Sequence, residues 1–401
     1  MLRPATAAET QEALTDAWAS ATTLEVRAGG SKSALGRDAP AAVVLDVSAL
    51  SGIVDYDPAE LVVTALAATP LASIKAALAE RNQHLAFEPP DYAALLGSDG
   101  AATLGGTLAA NLSGSRRIGA GAARDHFLGL RAVSGRGEEF KSGGRVVKNV
   151  TGYDLAKLLA GSFGTLAVLT EVTLKVLPAP EDACTVIVHG QTPAKAVQWL
   201  TQLTQTSLDI SGLAHLPAAL TANSHVSAVR DTGNATVVRL EGIASSVAAR
   251  LQVLRDRWLA DAGHGHETSV LDVEETRDLW REITDGRLLP RTGVIWKISV
   301  PPADGTMVAE RIARQLHSDI LFDWAGGLLW VAVQGDSAQE GVVREACRDC
   351  GGHATLVRAS AAERRRCPVF QPQPPALAAL SRRIKDAFDP NGILNPGRMA
   401  V

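Results

Sequence analysis

Residues 105–178 constrain this chain more than any other stretch. They begin GGTLAANLSGSRRIGAG and run on through GGRVVKNVTGYDLAKLLAGSFGTLAVLTEVTLKVLP. Glycines are dense, yet apolar runs separate them, and a disordered glycine-rich segment lacks such runs. Glycine lets a backbone turn through positive φ or approach a ligand closely. Gly105 and Gly106 are expected to open a short helical segment over 107–112. Its first N–H groups would then face an anion, because helix N-termini favour a phosphate. The stretch is therefore expected to cradle an extended phosphate-bearing cofactor.

The totals limit what surrounds this cradle. With 401 residues, 46% hydrophobic and 20% charged, the chain can bury the cores of two or more domains. The net charge is -4 and no basic run is interleaved with aromatics, which argues against a nucleic-acid partner. Arg364-Arg365-Arg366 is expected to be a solvated patch. The start, MLRPATAAETQEAL, has no h-region, and Thr6 with Glu9 forms a helix capping box. No apolar run reaches membrane-spanning length. A cytoplasmic protein is expected, or one peripheral at the inner membrane through partner subunits. Of the 4 cysteines, Cys347 and Cys350 form a lone C-x-x-C on an expected helix over 337–350. One such pair is weak for zinc or an iron–sulfur cluster, and packing on a helix face is expected.

In chain order, a helix is expected over 6–19 and a strand over 24–28. The turn Gly29-Gly30-Ser31-Lys32-Ser33 follows and offers amides, a hydroxyl and a cation to a pyrophosphate. It has neither the G-x-x-x-x-G-K-[ST] nor the G-x-G-x-x-G spacing. Apolar strands AAVVLDVSAL and LVVTALAAT come next, then a helix over 70–81, a short strand over 85–87, strands over 127–134 and 138–141, and a long β-branched strand over 165–177. This is an α+β domain.

The texture changes after Pro178-Ala179-Pro180, beyond which lie six of the seven Trp: Trp199, Trp258, Trp280, Trp296, Trp324 and Trp330. Strands TVIVHG, ATVVRLEG, VIWKISV and LLWVAVQG alternate with expected helices over 193–205, 245–262, 304–317 and 337–350. An antiparallel sheet covered by helices on one face is expected. A proline-entered helix and the turn-rich tail FDPNGILNPGRM close the chain.

Four segments together carry a resemblance: RAGGSKS at 27–33, TLGGTLAANLSG at 103–114, residues 146–178, and the tail at 388–399. The chain resembles the FAD-binding oxidases of the vanillyl-alcohol-oxidase type, which have a PCMH-type FAD domain. Within them it is similar to the FAD-binding subunits of bacterial glycolate oxidases. The resemblance implies an FAD domain over 1–180 and an antiparallel-sheet-plus-helices cap domain over 181–360, for substrate or a subunit interface. A C-terminal piece over 361–401 would return to the FAD domain.

It implies that Gly29, Gly30, Ser31 and Lys32 wrap the FAD pyrophosphate, with Gly105, Gly106, Thr107, Asn111 and Ser113 as a second wall. Lys148, Asn149, Gly152, Tyr153 and Asp154 would lie by the isoalloxazine or ribityl portion, and Gly164 to Val172 near the adenine. Read as residues alone, Tyr153 and Asp154 also fit a helix N-cap with a core aromatic. Val168 and Val172 also fit strand core.

Two departures matter. Relatives with covalent flavin carry His in the first glycine turn, where this chain has Ser31, so non-covalent FAD is implied. The G-E-H-G-type metal-binding segment of stand-alone 2-hydroxy-acid dehydrogenases is missing. His264 and His266 are a poor substitute, so no metal is expected.

Oxidising an α-hydroxy acid needs a base and a cation for the carboxylate. Arg287, Arg291 and Lys297 are possible carboxylate partners, although each also fits a plain surface charge, and no spacing singles out a catalytic residue. Three readings follow. The first is an FAD-binding subunit of a glycolate oxidase, working beside a second FAD-binding subunit and an iron–sulfur subunit. The others are a self-sufficient FAD dehydrogenase of another 2-hydroxy acid or alcohol, and a degenerate FAD domain with a structural role.

Overall fold

Thr6 stands in extended backbone and its Oγ1 accepts the Glu9 amide at 3.1 Å, so the N-terminal helix Ala7–Ala19 starts at the cap that the sequence provides. From this start the computed structural model describes residues 1–38, 40–145, 152–230, 232–259 and 266–399. The chain divides into two units. One holds residues 1–113, 121–179 and 364–401, the other residues 114–120 and 180–363.

The first unit pairs β1 (Leu24–Arg27) in parallel with β2 (Val43–Asp46), Leu24 opposite Val43. Its main sheet is antiparallel. The strands are β3 (Ile53–Asp57), β4 (Val62–Leu66), β6 (Phe127–Ser134), β7 (Glu139–Gly143) and β8 (Ala167–Lys175), in the order β3-β4-β8-β6-β7. β8 is buried along almost its whole length because both its faces are covered. Leu169, Val172 and Leu174 join one core with Ile74, Phe87 and Leu104. Val168, paired with Val133, joins another with Leu14, Leu24 and Leu394. The strand expected over 85–87 falls earlier, as β5 (Gln83–His84) against β9 (Leu177–Pro178), because the apolar residues that follow are drawn into the core rather than into a ladder.

The tail is held by a buried carboxylate. Asp389, at the end of the helix Pro375–Phe388, accepts the Ile393 amide at 3.0 Å and the Leu394 amide at 2.8 Å. Lys385 Nζ reaches Asp389 Oδ2 and also donates to Thr165 O at 2.6 Å. Leu394 then lies parallel to Leu24, with the Leu24 amide on Ile393 O at 2.7 Å. Arg364 is not solvated as its cluster suggests: it is buried and donates to Gly36 O at 3.0 Å, a contact between residues far apart in sequence.

The second unit is one eight-stranded antiparallel sheet. Its strands are β10 (Asp182–His189), β11 (Ile210–Leu216), β12 (Ala235–Gly242), β13 (Thr268–Leu271), β14 (Val294–Ser299), β15 (Ser318–Asp323), β16 (Leu328–Val333) and β17 (His353–Arg358). The order is β13-β10-β12-β11-β15-β16-β14-β17. Periodicity alone finds four of these strands. Gly212 and His215 break the apolar pattern of β11, and β13 and β17 are short edge strands with polar residues.

Helices Pro193–Leu203 and Ala244–Leu254 cover the face bearing Val186 and Val188, as expected. The helix Val273–Thr284 covers the opposite face. There Trp280 Nε1 donates to Thr185 Oγ1 at 2.9 Å and Arg239 lies 4.4 Å over the indole. Coverage on one face only is thus corrected.

Residues 114–120 leave the first unit's sequence and join the second. Trp324 Nε1 donates to Gly114 O at 3.1 Å, Ser115 Oγ donates to Asp323 at 2.7 Å, and Arg116 grips Glu241 through Nε at 2.9 Å and Nη2 at 2.6 Å. Burial would raise the Glu241 carboxyl, but Arg239 and Arg116 override it and hold it well below the usual carboxylate range.

Asp389→Ala would strand two buried amides and remove a carboxylate from Lys385. The substitution is expected to cost about 3 kcal/mol, read as a lower denaturant midpoint for the transition of the first unit. An unchanged midpoint would show that the tail does not depend on this carboxylate.

Candidate functional site

The first unit contains an open cleft of about 850 Å³, counting the open solvent at its mouth, walled by the end of β1 and its turn, the start of the helix Leu104–Ala109, the Phe163-Gly164 turn, β8 and the tail. Small side chains (Ala67, Ala68, Ala109, Ala110 and Ala167) leave room between the walls. The cleft exists because backbones meet closely. A Cβ on Gly29 would lie 2.0 Å from Ala101 O, and one on Gly105 would lie 2.7 Å from Ala67 O. Gly30 turns through φ +78°, and the Ser33 amide and Oγ both donate to its carbonyl, at 3.2 and 2.9 Å.

Lys32 reaches into this cleft. Its Nζ donates to Ser31 Oγ at 3.2 Å and would lie 4.0 Å from a Cβ on Gly106. Burial lowers the ammonium from 10.5 to about 8, with Asp91 pulling the other way. Such a cation gains from an anion that restores what desolvation removed. Arg27 is paired with Glu25 at 2.9 Å, and Arg398 donates to Leu35 O at 3.1 Å. The basic groups outnumber the acidic one, which suits a diphosphate.

The expected residues separate into three groups. Gly29, Gly30, Ser31, Lys32, Gly105, Gly106 and Gly164 line the cleft. Thr107, Asn111 and Ser113 do not line it but brace its wall. Thr107 Oγ1 donates to Thr103 O at 2.9 Å, Asn111 Oδ1 accepts the Arg124 amide at 3.1 Å, and Ser113 Oγ accepts the Ala123 amide at 2.8 Å. Val172 is fully buried in the core, whereas Val168 reaches the cleft.

Gly152 turns through φ +82°, Tyr153 is 89% exposed, and Asp154 caps the helix Leu155–Leu159 by accepting the Lys157 amide at 3.2 Å. Burial acts to raise the Asp154 carboxyl, but hydrogen bonds from Lys157 outweigh it and lower it. Lys148 and Asn149 lie outside the described residues, as does His264.

One expectation fails. The first amides of the Gly105-Gly106 helix do not face an anion. Leu104 N donates to Thr69 O at 2.9 Å, Gly105 N to Ala67 O at 2.7 Å, and Gly106 N to Thr103 Oγ1 at 3.3 Å. Thr103 caps the helix, which starts three residues earlier than expected. The glycines serve close packing and an unobstructed wall.

Sequence reasoning also missed Asn395 and Arg398. Asn395 Nδ2 donates to Phe163 O at 2.9 Å while its Oδ1 accepts the Val26 amide at 2.8 Å, tying tail, turn and β1 together. Nothing in the spacing of the tail links it to residues so far away.

Outside the cleft, Arg287 is paired with Asp285 at 2.8 Å. Cys347 and Cys350 are free thiols at the end of the helix Glu340–Ala346, and burial raises Cys347. Among the described residues no three His, Cys, Asp or Glu side chains are arranged to hold a metal ion.

Comparison with known proteins shows the family. Residues 1–143 match the FAD binding domain family, and residues 369–399 match the C-terminal domain of FAD linked oxidases. The chain is 35% identical to glycolate oxidase subunit GlcE of Escherichia coli (strain K12), over 94% of this chain and 93% of that protein. It is 36% identical to glycolate oxidase subunit GlcD of Bacillus subtilis (strain 168), over 27% of this chain and 21% of that one. Among solved structures, p-cresol methylhydroxylase with substrate bound superposes with a TM-score of 0.72. It has 14% identity and covers 99% of this chain and 87% of that chain, a likeness of fold.

Lys32→Met is expected to weaken FAD binding about ten- to a hundredfold, the worth of one charge-assisted hydrogen bond. The ammonium is charged below about 8, so affinity should be highest there and fall as pH rises through that value. FAD titrations from pH 6.5 to 9.5 check this. The decline should flatten in Lys32→Met, and an equal decline in both proteins would remove Lys32 from the site.

Proposed function

The chain belongs to the FAD-linked oxidase family, and from that footing we propose that it is the FAD-binding subunit of a glycolate oxidase. The observation that carries the reading is the extent of the similarity to GlcE. It spans 94% of the chain and so includes the second unit as well as the cofactor cleft. Bound FAD supplies a two-electron acceptor.

This chain's residues hold and orient that group. Lys32 neutralises pyrophosphate charge, and Gly30 and Gly106 leave the backbone bare beside it. Asn395 fixes the Gly164 turn against β1, while Thr107, Asn111 and Ser113 keep the second wall rigid. Lys148, Asn149, Gly152, Tyr153 and Asp154 are assigned to the isoalloxazine or ribityl side. Ser31 stands where a covalent linkage would need a more basic and nucleophilic side chain, so the FAD is held non-covalently.

Conversion of glycolate to glyoxylate releases two electrons and two protons. We assign the onward electron path to partner subunits, a second FAD-binding subunit and an iron–sulfur subunit. Among the described residues no helix is long and apolar enough to cross a membrane. Placement at the inner membrane would come through those partners.

Two measurements check the reading. Acid precipitation should release all the yellow colour into the supernatant, whereas a coloured pellet would show covalent flavin. In anaerobic absorption spectra, the flavin bands of the purified chain should persist with glycolate and bleach once the partner subunits are added. Bleaching by glycolate with the chain alone would favour a self-sufficient dehydrogenase. Absence of flavin bands after reconstitution with FAD would favour a structural subunit.

A further inference from the structure

The tail brings a cation into the cofactor cleft that has no role assigned above. Arg398 lines the cleft, and its side chain is only 16% exposed. Its Nη1 donates to Leu35 O at 3.1 Å. Nη2 lies 3.9 Å from Glu25 Oε1, beyond hydrogen-bond reach. Among the described residues Nε and Nη2 of Arg398 make no hydrogen bond.

The backbone fixes this arginine in place. The Arg398 amide donates to Asn395 O and the Arg37 amide to Arg398 O, each at 3.1 Å. Gly36 turns through φ +94°, and a Cβ there would lie 2.9 Å from Arg398 Cγ, so the tail crosses directly over bare backbone. Leu35, whose carbonyl takes the Nη1 bond, donates its own amide to Lys32 O at 2.9 Å. The guanidinium is therefore tied to the same turn that carries Lys32.

The carboxylates around Arg398 are already paired. Glu25 accepts Arg27 Nε at 3.3 Å and Nη2 at 2.9 Å, and Asp38 accepts Arg365 Nη1 at 2.7 Å. Burial is the main cause that lowers the Arg398 guanidinium. Glu25 and Asp38 pull it back up, while Arg364 and Arg27 repel it and push it further down. A desolvated cation in such company is costly until an anion meets its free donors. A guanidinium fork suits two oxygens of one phosphate.

We propose that Arg398 binds the diphosphate of FAD together with Lys32, so that the cofactor locks the tail across its own cleft. The inference rests on the assignment of this cleft to FAD. Cofactor binding and tail docking are then linked, and each favours the other by the same factor. The tail amides that docking protects are those of Ile393 and Leu394 on Asp389, and that of Asn395 on Leu24 O at 2.9 Å.

FAD titrations of the purified full chain, followed by flavin fluorescence at constant ionic strength, test the proposal. Denaturant midpoints with and without FAD accompany them. Arg398→Met is expected to weaken FAD binding about tenfold or more, and Arg398→Lys, which keeps the charge, to recover part of that loss. The midpoint of the FAD-free chain should hold or rise in Arg398→Met, because a buried and poorly paired charge is removed. The rise in midpoint that FAD brings should shrink in the same variant. Amide exchange over residues 389–399 should slow when FAD is added to the wild type, and slow less in Arg398→Met.

An Arg398→Met chain that binds FAD like the wild type would overturn the proposal. So would an FAD-free midpoint that falls as far as the FAD-bound one, because the arginine would then be only a strut for the tail. The same titrations separate this inference from the reading beneath it. A wild type that binds no FAD removes the cofactor assignment together with the proposal. A wild type that binds FAD beside an unaffected variant removes Arg398 alone.

Discussion

The first unit depends on backbones approaching closer than any side chain permits. A Cβ at Gly29 would lie 2.0 Å from Ala101 O, one at Gly100 would lie 2.2 Å from Gly29 O, and one at Gly105 would lie 2.7 Å from Ala67 O. These contacts press the turn after β1, the loop at 98–103 and the helix Leu104–Ala109 into one wall. Only then does Lys32 come to lie beside Gly106, with its ammonium desolvated. An alanine at Gly29 or Gly105 would push the wall apart before it touched any ligand.

Burial of lysine is the physical theme shared by the two units. Lys32 and Lys297 are each lowered to about 8 by desolvation, and each has one carboxylate pulling it back, Asp91 and Asp323 respectively. Their surroundings differ. Lys32 stands among alanines and glycines in an open cleft, which suits a long cofactor with a diphosphate. Lys297 stands between two indoles beside Arg117, packed on the second unit's sheet. A buried ammonium is costly in both settings, and only the Lys32 setting opens onto a cleft where an anion could offset that cost.

Much of the first unit was legible because its signals are local. The Thr6 cap, the glycine turn at 29–33, and the strands near 127–134 and 167–175 depend on near neighbours. Half the strands of the second unit were not. β11 is interrupted by Gly212, and that glycine exists to admit Trp280, whose ring carbons would lie 2.7 Å from its Cβ. β15 pairs with β11 at His215 opposite Phe322, a contact far apart in sequence. The excursion of residues 114–120 into the second unit was equally hidden, since Ser115 and Arg116 find Asp323 and Glu241 more than a hundred residues away.

The sequence by itself determined the chemistry on offer: glycines without side chains, a lysine in the first turn, no histidine beside it, and a tail with defined turns. Local pattern and composition set these features. The tertiary structure decided which groups meet. It used the Gly105 and Gly106 amides within the protein rather than leaving them for an anion, and it brought Asn395 and Arg398 from the tail to the cleft. It also brought Arg117 and Trp324 beside Lys297 and Trp330 of the second sheet. Hydrogen-bond partners and desolvation are properties of proximity, and proximity between distant residues is set only when the sheets close.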